Sequence, residues 1–160
     1  MKIKKIALIA VLIALSVVLS TWLKIPLISD IKLDLSYIVL TVAIAYCGMS
    51  GSMLIGGLSA FLGSLLFSAY GISISWILSN IVIAIIASLF YRSGKNTLFV
   101  MGIIIACAIG LLGVKTLVEC VLYNIPLGVK IAKNAVAFLS DCACMLLGVP
   151  VVMLLKKHFK

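Results

Sequence analysis

The chain has 160 residues, of which 65% are hydrophobic; 13 Lys and Arg stand against 4 Asp and Glu, giving a net charge of +9, and the mean hydropathy is +1.39. Only 11% of residues are charged, whereas a soluble globular domain carries roughly a quarter, so the composition excludes a soluble domain and describes an integral membrane protein. The basic excess does not describe a nucleic-acid binder, because the lysines sit mostly at the ends of apolar segments and not in one stripe interleaved with aromatics.

A bilayer span needs about 20 mostly apolar residues, and the chain divides accordingly. The start, "MKIKKIALIAVLIALSVVLS", has the charged head and apolar body of a signal peptide. Its apolar run is long, no A-x-A site follows and further spans come after it, so it reads as an uncleaved first helix over 6–23. Ala10 and Ala14 in it are small residues four apart, the spacing that lets another helix approach closely in lipid. The segment 24–36, "KIPLISDIKLDLS", is the one sizeable polar loop. Helix 2 (36–48) and helix 3 (51–68) are separated only by "GMSG" and are expected to form a tight helical hairpin, with Gly51, Gly56, Gly57, Ala60 and Gly63 thinning helix 3. Helix 4 (73–91) carries Ser73, Trp76 and Asn80 at spacings of three and four, which is one helical face. Helix 5 (98–123) carries Lys115 and Glu119 one turn apart, with Tyr123 at the next turn. Helix 6 (131–155) is entered by Lys130 and continues that face with Asn134 and Asp141. The expectation is an all-α membrane protein, a bundle of six transmembrane helices in a single domain over 1–160, with no internal repeat.

Basic residues near span ends favour the cytoplasm. With both termini there, that side collects Lys2, Lys4, Lys5, Arg92, Lys95, Lys156, Lys157 and Lys160, and the polar stripes of helices 4, 5 and 6 fall in the same outer half of the membrane. A charge at the bilayer centre costs roughly 2.5–3.5 kcal/mol on insertion scales, so such residues face a partner or a cavity. One reading is a small-molecule cavity lined by Trp76, Asn80, Lys115, Glu119, Tyr123, Lys130, Asn134 and Asp141, mostly apolar with a few convergent polar groups. The other is interhelical glue in a structural or assembly subunit of a membrane complex, with Lys115 and Glu119 neutralising each other.

No GxxxxGK[ST], HExxH, CxxC or GxSxG motif is present, so the sequence predicts neither an ATPase, a metal site, a cofactor site nor a serine nucleophile, and no catalytic residue. Any solute movement would draw its energy from another subunit. Cys47, Cys107, Cys120, Cys142 and Cys144 fall in or beside the apolar segments and read as small, buried, weakly polar residues.

The basic start with Ala10 and Ala14, the run "IKLDLSYIVLTVAIAYCGMSGSMLIGGLSAFLGSLLF" and the "YNIP…K…KN" entry to helix 6 resemble the substrate-binding S components of energy-coupling factor (ECF) transporters, which import vitamins in bacteria and archaea. The resemblance covers nearly the whole chain. It implies a six-helix bundle in the cell membrane, a vitamin bound near the outer face beneath the first extracellular loop, and partnership with an energy-coupling transmembrane subunit and two ATPase subunits. It also implies that Ala10 and Ala14 pack against the coupling subunit. The chain departs from the family pattern at Ile38-Val39 and Gly48-Met49, where many members carry Ile-Pro and Gly-Pro, and around Ser59-Ala60, where folate-like relatives carry an acidic residue. The substrate is therefore open: the basic and aromatic residues lean toward an anionic vitamin such as folate or pantothenate, with riboflavin as a further candidate.

Overall fold

The computed structural model describes residues 2–22, 25–28, 31–67 and 72–158. Helix α1 (Lys2–Trp22) is followed by two strands, β1 (Ile25–Ile28) and β2 (Ile31–Leu33), then by α2 (Ser36–Phe67), α3 (Ile74–Tyr91), α4 (Asn96–Cys107), a π-helical segment (Ala108–Lys115), α5 (Thr116–Tyr123) and α6 (Leu127–His158). Among the described residues, five helical runs, with α4 through α5 counted as one, are long and apolar enough to cross a membrane.

The expected loop at 24–36 contains an antiparallel hairpin, pairing Ile25 with Leu33 and Pro26 with Lys32, with a register irregularity between Pro26 and Ile28. Strands of four and three residues are too short for an alternating pattern to be read from sequence. The helix boundaries shift as well. α6 begins at Leu127, four residues before the expected 131, because Pro126 sits at its start, where a missing N–H costs nothing, and its carbonyl accepts the Lys130 amide at 3.3 Å. Asn124, at φ 51 in the left-handed region, ends α5.

Expected helices 2 and 3 run together as α2, interrupted at Gly48 by φ 69, ψ −174, a conformation open mainly to glycine. The chain doubles back there. Leu40 Cδ1 lies 3.3 Å from the position a Cβ would take on Gly56, whereas sixteen residues of straight helix would hold the two about 24 Å apart. The first arm of α2 packs on α1 through Leu12, Val39, Ala43 and Cys47, joined by Ile55 from the second arm. The main core joins Tyr37, Leu40 and Ile44 of α2, Ile83, Ala84 and Ala87 of α3, Phe99 and Ile103 of α4, Leu111 and Met145.

The start of α1 and the end of α6 lie at the end of the bundle opposite the β hairpin. Lys156, near the end of α6, stands 4.6 Å over the ring of Tyr91, the last residue of α3, and Tyr91 meets Phe99 of α4 edge-on at 4.8 Å. Ile9 of α1 approaches Gly51, just past the α2 reversal. Among the described residues no buried side-chain nitrogen or oxygen lacks a hydrogen-bond partner, as a low-dielectric surrounding requires.

Candidate functional site

The polar side chains of the hairpin end are brought together by one irregularity. Where a single α-helix is expected over 98–123, Ala108–Lys115 is π-helical, so the run gains a residue relative to an α-helix of the same length. Gly110 there packs directly on Ile83 and the Ser79 carbonyl of α3, and Thr116 Oγ1 donates to the Leu111 carbonyl five residues back, at 3.1 Å. The extra residue turns both Thr116 and Glu119 into the space between α3 and α6.

Glu119 is the hub of that space. Its Oε2 receives Lys130 Nζ at 3.0 Å and Asn134 Nδ2 at 3.4 Å, and its Oε1 receives Ser75 Oγ at 3.2 Å, so one carboxylate ties α3, α5 and α6. Glu119 and Lys130 are only 12% and 16% exposed. Asn134 also donates to Thr116 Oγ1 at 3.0 Å. The partner of Glu119 is thus Lys130, across helices, and not Lys115 one turn away. Lys115 makes no direct ion pair or hydrogen bond with a described residue, yet its charge acts on both Glu119 and Asp141.

A second polar set lies alongside. The Tyr37 hydroxyl donates to Asn80 Oδ1 at 3.0 Å, and Asn80 Nδ2 reaches the Gly56 carbonyl at 3.5 Å, which joins both arms of α2 to α3. Trp76 and Asp141 flank the same hydroxyl, and the Trp76 ring rests over Gly63. Asp141 is buried and accepts from Ser140 Oγ at 3.3 Å. Asp34, just after the β hairpin, caps α2 by accepting the Ser36 amide at 2.9 Å and adds its charge to that of Asp141.

Of the residues singled out in the sequence, Trp76, Asn80, Lys115, Glu119, Lys130, Asn134 and Asp141 are gathered at the hairpin end. Tyr123 stands apart, 56% exposed at the end of α5. Ala10 and Ala14 are exposed on α1, beside Val11, Leu15 and Val18. Three participants were not anticipated. Tyr37 stands four residues before Thr41, a spacing that marks a polar face on α2. Ser75 lies off the face of Ser73, Trp76 and Asn80, whereas Thr116, three residues before Glu119 and seven before Tyr123, lies on their face, a spacing that could have found it. The cysteines are all free, with Cys47, Cys107, Cys142 and Cys144 buried and Cys120 partly so.

This arrangement offers a concentrated set of hydrogen-bond donors and acceptors beside aromatic surface, which is the chemistry of capture and not of bond making. The comparisons with known proteins point the same way. A solved structure, the S-component for biotin from an ECF-type ABC transporter, is similar with a TM-score of 0.72 over 98% of this chain and 92% of that chain, at 18% identity, which shows the fold. The search of curated proteins gives no match. Residues 1–157 match the family described as ECF-type riboflavin transporter, S component, a family of membrane transporter components and not of enzymes. The resemblance read from the alanine pair, the hairpin helices and the entry to helix 6 thus holds along nearly the full length, and the chain belongs to the ECF-type riboflavin transporter S component family.

Proposed function

We propose that this chain is the riboflavin-capturing subunit of an ECF importer in the plasma membrane of a bacterium or archaeon. The observation that carries the reading is the family match over residues 1–157. The chain crosses the membrane six times, with the two arms of α2 as separate passages joined at Gly48, and both termini are cytoplasmic. The reversal at Gly48 and the basic residues Lys4, Lys5, Arg92, Lys95, Lys156 and Lys157 gathered at one end support that orientation.

Substrate binds at the opposite, hairpin-bearing end, where Trp76 gives a face for a fused-ring ligand and Asn80, Lys115, Asn134 and the Glu119–Lys130 pair give directional hydrogen bonds. Riboflavin takes precedence over the folate- or pantothenate-like anion toward which the basic residues lean in the sequence. The family description favours it, and so does the engagement of Lys130 by Glu119 at 3.0 Å, which removes a cation that an anionic vitamin would use. Uptake is driven by two ATPase subunits through a coupling transmembrane subunit, which docks on the exposed α1 face around Ala10 and Ala14.

The test is to purify the protein from its native membrane and titrate it with riboflavin, following flavin fluorescence. Tight binding by the wild type, lowered about tenfold or more by Lys115→Ala or Asn134→Ala with the fold intact, is the expected result. Binding of a different vitamin in place of riboflavin overturns the substrate, and normal co-purification of the coupling subunit with Ala10→Trp/Ala14→Trp overturns the docking face.

A further inference from the structure

We propose that the corner formed by the α3–α4 turn and the end of α6 binds an anionic phospholipid, taking its phosphate among Arg92, Lys95 and Lys156. The inference stands apart from the vitamin reading and needs only that the chain lies in a membrane.

The net charge of +9 is divided unevenly between the two ends of the molecule. All four acidic residues belong to the hairpin side: Asp34, Glu119 and Asp141 stand there, and Asp30 falls between the two strands in the sequence. Lys24, Lys32, Lys115, Lys130 and Lys133 accompany them, so that side is close to neutral. The opposite side has Lys2, Lys4, Lys5, Arg92, Lys95, Lys156, Lys157 and Lys160 and none of the four acids. Its counter-charge therefore comes from outside the chain.

Half of those cations belong to one corner. Arg92 closes α3 and Lys95 precedes α4, three residues apart across a turn in which Gly94 has φ 75. The end of α6 reaches the same place, with Lys156 Nζ 4.6 Å over the Tyr91 ring, and Phe99 of α4 holds that ring edge-on at 4.8 Å. Arg92, Lys95, Lys156 and Lys157 are all exposed. Like charges gathered in this way repel one another unless an anion joins them.

The surroundings of the corner decide the kind of anion. Within two turns of these cations, Leu89 of α3, Met101 of α4 and Met153 and Leu154 of α6 expose apolar side chains. A phospholipid meets both features, its phosphate the cations and its acyl chains the apolar residues, whereas a water-soluble phosphate meets only the first. Tyr91 lies between the two, as aromatic residues do at the edge of a bilayer. Each Lys or Arg beside an anionic membrane surface strengthens binding roughly fivefold.

The experiment titrates the purified full-length protein, in a neutral detergent, with phosphatidylglycerol and with phosphatidylcholine, and counts bound lipid by native mass spectrometry. Glycerol phosphate supplies the headgroup without its chains. The wild type is expected to bind phosphatidylglycerol about tenfold or more tightly than phosphatidylcholine, and to retain no glycerol phosphate at the same concentration. Arg92→Gln/Lys95→Gln should abolish the preference, whereas Lys4→Gln/Lys5→Gln removes the same charge from α1 and should leave most of it. Should the turn variant fail to fold, Lys156→Met alone should lower the preference about fivefold, and no change there overturns the proposal. Equal binding of the two lipids by the wild type overturns it without any variant. Glycerol phosphate bound as tightly as phosphatidylglycerol overturns the lipid as the source of the phosphate. An equal loss in the two double variants overturns the corner, because the preference then follows net charge alone.

Discussion

The two ends of the bundle are held by different means. At the hairpin end, α3, α5 and α6 meet through the Glu119 carboxylate, and both arms of α2 meet α3 through Tyr37 and Asn80. At the opposite end, where α1 starts and α6 finishes, the charged side chains are at the edge. Arg92, Lys95 and Lys157 are exposed, Lys156 lies over Tyr91, and the contacts between helices are aromatic or small, such as Tyr91 on Phe99 and the hydroxyls of Ser52 and Ser88 at 3.1 Å. Charges placed inside a membrane protein are costly and tend to be retained for function, whereas basic residues at the rim record which face the cytoplasm takes. The difference teaches that the ends are told apart not by polarity itself but by charge committed across helices: among the described residues, the interhelical ion pair, Lys130 with Glu119, stands at the hairpin end.

Substitutions at the two ends should therefore differ both in cost and in what they disturb. Glu119→Ala, which strands Lys130, is expected to destabilise by about 3–5 kcal/mol and to abolish ligand binding; a thermal shift of a degree or less would place the pair in open solvent. Asn80→Leu leaves the Tyr37 hydroxyl and the Gly56 carbonyl without their partner and should cost about 1–3 kcal/mol, read as a lower midpoint in denaturant together with weakened ligand affinity. Ser88→Ala, at the other end, removes one interhelical hydrogen bond and should cost about 0.6 kcal/mol, with affinity unchanged. Lys156→Met gives up an exposed cation–π contact of about 0.5–1 kcal/mol and should likewise leave affinity alone. A loss of affinity in either of the last two variants would dissolve the contrast between the ends.

Much of this was legible in the sequence because hydropathy and spacing are local properties. Apolar lengths located the helical runs, and polar residues three or four apart picked out Asn80, Glu119, Lys130 and Asn134. The "GMSG" punctuation located the α2 reversal, where Gly48 takes its positive φ. What was not legible depends on tertiary choices. Glu119 had a partner in reach on its own helix, and the short charge-assisted bond from Lys130 was preferred. Ser75 lies off the ideal α face of Ser73, Trp76 and Asn80, and the π register that precedes Thr116 is one that no composition rule anticipates. The strands after α1 pair over too few residues to leave a pattern.

The π segment Ala108–Lys115 has a consequence for how relatives are lined up with this chain. Each added residue rotates the helix by about 100°, so a relative with an ordinary α-helix here would have its equivalent of Glu119 offset by one position. An ungapped alignment that follows hydropathy through the segment would then match Glu119 to a residue facing lipid. One gap between Ala108 and Lys115 restores the correspondence, and the presence or absence of that gap divides relatives that keep the carboxylate between α3 and α6 from those that do not.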